Sequence, residues 1–153
     1  MLAHKAEDEG VKLVENLFQN KKHEIDYNCI ASVVYTSPEV AWVGKNEEQL
    51  KADGGIQYNV GKFLMRANSR AVCNQESDGF VKILSEKQSG RLLGAHLICQ
   101  NAGELIYGIT TILHYGGTCE DLHKICFPHP TLSEAVKEAA CMADPGCGFP
   151  INS

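Results

Sequence analysis

Phe80-Val81-Lys82-Ile83-Leu84, the polar link Glu86 to Gly90, and Leu92-Leu93-Gly94-Ala95-His96-Leu97-Ile98 decide the fold of this chain. Two apolar runs joined by so short a link return the chain as an antiparallel hairpin. Upstream, Ile30 to Tyr35 is a strand candidate ended by the turn Thr36-Ser37-Pro38. Val40 to Val43 is a second short strand, and Gln57 to Met65 a third. Asn46 reads as the N-cap of a helix through Glu47, Glu48 and Leu50 that stops at Gly54-Gly55.

Downstream of the hairpin the pattern turns helical. Asn101 followed by Glu104 has a capping arrangement, and Gly116-Gly117 ends that helix. Thr118 with Glu120 and Asp121 begins a short helix, and Pro130-Thr131 opens a last one that Pro145-Gly146 terminates. A first helix spans residues 3–20, with Ala6, Gly10, Val14, Leu17 and Phe18 on one face and Lys5, Glu7, Glu9 and Lys12 on the other. Helix, antiparallel strands, then helices is the order of an α+β fold, an antiparallel β-sheet packed with helices, and not of a doubly wound parallel sheet. Only the first twenty residues look separable from the rest.

A length of 153 residues suits one compact domain with a real core. The formal net charge of −5, with no cluster of Lys or Arg, speaks against a nucleic-acid surface. The uncharged run Leu105 to Tyr115 is far too short to cross a bilayer. The acidic start Met1 to Glu9 resembles neither a signal peptide nor a transit peptide. Cysteines at 29, 73, 99, 119, 126, 141 and 147 form no Cys-x-x-Cys pair and no zinc spacing, so free thiols in a reducing compartment are expected. A thiol sensor at Cys126 or Cys141 is an alternative without support from the spacing.

The run 105–115 carries Leu105, Ile106, Ile109, Ile112 and Leu113 on one side and uncharged Tyr107, Gly108, Thr110 and Thr111 on the other. A helix uncharged all round is usually buried on more than one face, and in a small domain the second face suits a partner subunit. The last helix sets Leu132, Ala135, Val136, Ala139, Ala140 and Ala143 at helical spacing, opposite Lys137 and Glu138.

The chemistry concentrates in Phe127-Pro128-His129-Pro130-Thr131-Leu132-Ser133-Glu134. His129 precedes a proline, which pushes its backbone towards an extended shape. Pro130 is tolerated in the first turn of a helix, which puts the imidazole at a rigid helix entrance. Histidine titrates near neutral pH, and a carboxylate beside such a ring can orient it and raise its basicity. Glu134 is placed for that role. The same residues also read as an ordinary loop histidine followed by a Thr131-x-x-Glu134 capping box, and the residue types alone leave both readings open. His4, His23, His96, His114 and His123 have no metal-ligand spacing, so no metal site is expected. No Gly-x-Ser-x-Gly elbow, Gly-x-Gly-x-x-Gly motif or phosphate loop is present, and a nucleotide or flavin must be held mainly by something outside this chain.

Several segments in register carry a family resemblance. Met1-Leu2-Ala3-His4-Lys5-Ala6, Tyr35-Thr36-Ser37-Pro38-Glu39-Val40-Ala41-Trp42-Val43-Gly44, Ala67-Asn68-Ser69-Arg70-Ala71, Leu93-Gly94-Ala95-His96 and His129-Pro130-Thr131-Leu132-Ser133-Glu134 occur in that order. Together they resemble the C-terminal interface (dimerisation) domain of the dihydrolipoamide dehydrogenases, E3 flavoenzymes of the pyridine nucleotide-disulfide oxidoreductase family, over essentially the whole chain. The resemblance implies that residues 1–24 are the tail of an FAD-binding domain, with Met1, Leu2, Ala3 and His4 beside the flavin. Residues 25–153 are then the interface domain of a homodimer. It implies that His129, oriented by Glu134, enters the partner subunit's site and takes a proton from a dihydrolipoamide thiol. Electrons then pass through FAD to NAD. A cis His-Pro bond, lipoyl domains and 2-oxo-acid dehydrogenase components as partners, and the mitochondrial matrix follow from the same resemblance. So does the expectation that this chain alone binds no cofactor tightly and is inactive.

The departures are Phe127-Pro128 where the family has His-Ala, Ser37 for a usual histidine, and Cys99-Gln100-Asn101 for a glycine-rich turn. The flavin fingerprint, the redox cysteine pair and the NAD domain are missing. An alternative function is a catalytically inactive stand-alone oligomerisation module that pairs with itself or with full-length subunits.

Overall fold

The computed structural model describes residues 2–148. A five-stranded antiparallel sheet runs in the order β1-β2-β5-β4-β3, with β1 Ser32–Val34, β2 Glu39–Gly44, β3 Tyr58–Leu64, β4 Phe80–Glu86 and β5 Leu92–Cys99. The expected hairpin, β4 and β5, forms the middle of the sheet, and β2 pairs along β5 with Trp42 opposite His96. The helices are α1 Ala3–Phe18, α2 Glu47–Ala52, α3 Ser69–Asn74, α4 Ala102–His114, α5 Cys119–His123 and α6 Glu134–Ala143. The fold is α+β.

The core lies between one face of the sheet and the helices α4 and α6. Val43, Val81, Ile83 and Leu97 point into it from the strands, and Ile106, Ile109, Val136 and Ala139 meet them from the helices. Alternation along each strand separates this face from the other. On the outer face Val34, Val40, Ile98, Phe80 and Leu64 stand opposite one another in a row across all five strands.

Small residues let α6 approach the sheet. A Cβ added to Gly61 of β3 would lie 1.9 Å from the Ala139 carbonyl oxygen and 2.5 Å from the Ala143 amide nitrogen. Ser85 of β4 donates a buried hydrogen bond to the Ala143 carbonyl at 2.7 Å. These contacts fix the helix that begins at Glu134.

Local signals were reliable where they were complete. Asn46 and Gln49 form a full capping box on α2, and Thr118 and Asp121 form another on α5. Four expectations need correction. Asn101 does not cap α4: its backbone is left-handed at φ 57°, and Glu39 of β2 instead accepts from the Gly103 amide at 2.9 Å. The last helix begins at Glu134, not at Pro130, because the Thr131 amide is taken by the Glu134 side chain and the Thr131 hydroxyl turns back to Pro128. Glu138 is buried rather than solvent-facing, and nothing in the structure explains the unpartnered Oε2 that results. Finally, Cys141 and Cys147 are joined in a disulfide with Cα atoms 5.3 Å apart, so only the other five cysteines are free.

Two helices keep a face uncovered within this chain. No residue of α1 is buried, and Phe18 at its end is 81% exposed. The helix is held by polar contacts: His4 Nε2 to the Ala31 carbonyl at 2.8 Å, and Glu9 accepting from Lys5 and from the Tyr27 hydroxyl. α4 buries only one side within this chain. Tyr107 is 76% exposed, and nothing lies within 4 Å of a Cβ built on Gly108.

Candidate functional site

His129 and Glu134 are brought together as their spacing suggested. The bond between His129 and Pro130 is cis, as is that between Ser37 and Pro38. His129 Nδ1 lies 2.9 Å from Glu134 Oε1, and the Thr131 amide donates to Glu134 Oε2 at 2.8 Å. One carboxylate thus grips both the ring and the backbone two residues beyond it. The Thr131 hydroxyl donates to the Pro128 carbonyl at 2.8 Å and lies 2.8 Å from the Ser133 hydroxyl, which closes the turn.

The charge state of Glu134 fixes the tautomer. Burial pushes its carboxyl up, but the Thr131 amide, the His129 hydrogen bond and the charges of His129 and Lys137 outweigh this and hold it below the ordinary carboxylate value. An ionised carboxylate only accepts, so Nδ1 carries the hydrogen and Nε2 presents its lone pair outward. The His129 side chain is 67% exposed while that of Glu134 is 19% exposed. The ring is therefore held from behind and open in front. It is not covered by its own protomer.

Phe127 and Pro128, immediately before the ring, line an apolar groove of about 500 Å³ together with Leu105 and Ile112 of α4, Ile125, and Val136 of α6. The exposed imidazole therefore sits at the rim of an uncharged surface.

A second cleft, of about 680 Å³, is lined by Leu2, Ala3 and His4 at the start of α1 and by Tyr35, Gly103 and Thr110. Leu2 supplies no side-chain cap, and among the described residues no side chain accepts from the first-turn amides of α1. Met1 lies outside the described residues.

The remaining histidines have structural partners or none. His23 pairs with Glu15, and His114 packs edge-on against Tyr115. His96 projects from the sheet with Nδ1 unpartnered; burial, then the charge of Lys82, holds it below its usual value. Among the described residues no three His, Cys, Asp or Glu side chains gather as a metal would require. Burial pushes the Cys99 and Cys119 thiols up to about 12, which makes them packing residues at neutral pH.

His123 of α5 meets Asp144, just past α6, at 2.8 Å. Burial raises the Asp144 carboxyl, but His123, the Gly146 amide and Lys124 together bring it below 3.8. A depressed folded value means that its stabilisation is fully present at neutral pH and is lost as pH falls through the ordinary carboxylate range to the lower, folded value. Asp144→Asn is therefore expected to cost about 1–2 kcal/mol at neutral pH. In urea melts the gap from the parent chain should close in that acid window. A gap of constant size from neutral to strongly acidic pH would refute the assignment.

Sequence reasoning gave Asn68 no role beyond its place in a resembling segment and expected no helix at α3. The Asn68 side chain caps α3 through the Ala71 amide and reaches Thr131 in the histidine turn. The signal available was an Asn before a short polar-to-apolar run, which is the pattern of an N-cap.

Comparison with known proteins matches residues 30–140 to the dimerisation domain of pyridine nucleotide-disulphide oxidoreductases. The chain is 56% identical over 153 residues to the mitochondrial dihydrolipoyl dehydrogenase of Caenorhabditis elegans, covering 100% of this chain and 30% of that protein. Against the enzyme of the same name from Homo sapiens it is 56% identical over 146 residues, 95% of this chain and 28% of that one. Among solved structures, LpdA from Mycobacterium tuberculosis superposes with a TM-score of 0.85 at 28% identity, covering 91% of this chain and 30% of that chain. The HOCl-induced flavoprotein disulfide reductase RclA from Escherichia coli, in its Cu(II) complex, gives 0.85 at 23% identity over 94% of this chain and 33% of that one, a likeness of fold. The chain thus spans about 30% of the length of the curated relatives it matches.

Proposed function

Because the chain belongs to the pyridine nucleotide-disulphide oxidoreductase family through its dimerisation domain, we propose that it is the C-terminal, subunit-pairing part of a dihydrolipoyl dehydrogenase. In this reading it delivers His129 to the sulfur site of a partner protomer. The observation that carries the proposal is the exposed His129 ring held from behind by Glu134 at the rim of an apolar groove.

His129 Nε2 takes the proton of a dihydrolipoamide thiol. The thiolate left behind attacks a disulfide in the partner subunit, where one sulfur–sulfur bond breaks as another forms. Glu134 stays ionised, stabilises the imidazolium and keeps Nδ1 occupied. The groove suits burial against a second copy: α4 presents Tyr107 and Gly108 outward with no charge, and Pro128, next to His129 in the chain, lines the same groove. Two copies related by a two-fold axis then exchange histidines.

Residues 1–24 are read as the tail of an FAD-binding domain and 25–153 as the interface domain. The apolar face of α1 supports this, since its uncovered Val14, Leu17 and Phe18 need a neighbour that a stand-alone module would lack. For FAD, the residues present fit an edge of the ring and no more. The uncapped amides at Leu2 to His4 suit a ring carbonyl, while the phosphates and adenosine find no loop here. When bound, the flavin supplies a two-electron acceptor, and NAD the final one. Lipoyl domains and other components of a 2-oxo-acid dehydrogenase complex are the proposed partners. The proposed compartment is the mitochondrial matrix, after the relatives' names.

Subunit mixing in the full-length enzyme tests the exchange. A His129→Gln protomer and a protomer without its redox cysteines are each inactive alone. Their one-to-one hybrid mixture should recover roughly a quarter of parental turnover, because half of the dimers hold one complete site. Failure to recover any turnover, with hybrids shown to form, removes the cross-subunit role.

A further inference from the structure

We infer that Asn68 is a positioning residue for the acid–base histidine: its buried amide clamps the Thr131 carbonyl, and through Thr131 it holds the carboxylate that aims His129. This deepens the function proposed above and rests on it.

Asn68 stands between a 3-10 turn, Met65–Ala67, and α3, and is only 3% exposed. Each polar group it owns is used. Its amide donates to the Met65 carbonyl, its carbonyl accepts from Val72, and Oδ1 accepts from the Ala71 amide at 2.9 Å. Nδ2 donates to the Thr131 carbonyl at 3.0 Å. The first bond closes the 3-10 turn, and the next two open α3. The fourth leaves the element and reaches 63 positions down the chain.

Thr131 needs that donor. Its carbonyl precedes α6, whose first bonds run from the Ala135 amide to Leu132 and from the Val136 amide to Ser133, so no helical amide turns towards it. A carbonyl in a part-buried turn without a partner carries a desolvation cost, and Asn68 removes it. The opposite side of the same residue, its amide, donates to Glu134 Oε2, and Glu134 Oε1 receives His129. Rotation of Thr131 would therefore move the carboxylate, and the carboxylate is the sole hydrogen-bond partner of the exposed ring among the described residues. A run of bonds leads from a buried, hydrogen-bonded amide to a solvent-facing imidazole.

The residue type is constrained by two demands made at once, an acceptor for α3 and a donor for Thr131. Only a carboxamide meets both at this length. Serine caps a helix as well as asparagine but is too short to span to Thr131, and aspartate caps without donating. These variants separate the cap from the clamp.

Nitrogen NMR of the histidine rings in the 15N-labelled chain, at a pH where His129 is neutral, reads the tautomer directly. The parent chain should hold the Nδ1–H form in excess of about tenfold, as expected for a charge-assisted hydrogen bond. In Asn68→Ser, with protection of the Ala71 amide from exchange confirming that the cap survives, the excess should fall to about threefold or less. Should the serine cap fail, Asn68→Asp carries the same expectation. An unchanged tautomer ratio in a variant that keeps its cap overturns the inference, and so does a parent ring with no preferred tautomer. The acid–base reading itself is judged separately, by turnover of His129→Gln enzyme, so the two can fail independently.

Discussion

Dihydrolipoamide oxidation by the full-length enzyme is expected to slow by roughly 10²–10⁴-fold on His129→Gln, the range set by losing a positioned general base. Among the described residues the ring is bonded only through Nδ1, and no other titratable side chain shares its turn except Glu134, which is committed to the ring and the Thr131 amide. Glutamine keeps a polar tip of similar reach but has no lone-pair nitrogen to accept a proton near neutral pH. Flavin content should be unchanged, because His129 is not among the residues that line the cleft at the start of α1. The comparison to make is thiol oxidation against flavin absorbance in the same preparation. Near-parental turnover would end the base role, and a loss matched by missing flavin would show a folding effect instead.

The largest structural effect is expected from Gly61→Val. The space a Cβ would need is occupied by the backbone of α6, with the Ala139 oxygen at 1.9 Å and the Ala143 nitrogen at 2.5 Å. Side chains can rotate out of a clash; a helix backbone seated on a sheet cannot. Overpacking against movable neighbours costs about 1–3 kcal/mol, and here the lower bound should be about 3 kcal/mol. For a chain of this size that corresponds to a fall in Tm of roughly 10 °C. Because Glu134 begins the displaced helix, the His129–Glu134 bond should loosen as well. A Gly61→Val chain melting within about two degrees of the parent would contradict the packing described.

What could be read from the residues follows how local each determinant is. The β4–β5 hairpin and the capping boxes at Asn46 and Thr118 depend on residues a few positions apart, and each was legible. The His129–Glu134 pair was legible as a spacing, although its use as a ring clamp rather than a plain capping box needed coordinates. Asn101 misled because a carboxylate from β2, distant in sequence, reaches the same helix end first. The late start of α6 was hidden for a similar reason, since the Thr131 carbonyl is engaged from α3 and its amide by a side chain. Cysteine spacing gave no sign of the Cys141–Cys147 bond, which needs the chain to turn back after α6 at Asp144. The apolar faces of α1 and α4 were visible in the sequence, and so was the suggestion that α4 faces a partner. No count of residues could say that the apolar face of α1 and the uncharged outer side of α4 both stay uncovered within one chain.

The position of β2 between β1 and β5 has a kinetic corollary. During synthesis β2 emerges well before the strand it must lie against, and it waits with one edge unsatisfied while β3 and the central hairpin are made. Closing that long loop is an entropic delay that helices of the same length do not face, so this sheet should assemble in milliseconds to seconds rather than microseconds. In the interval, Val40 to Val43 is a ribbon open to any neighbouring ribbon, and crowded refolding will be lossier than dilute refolding for that reason.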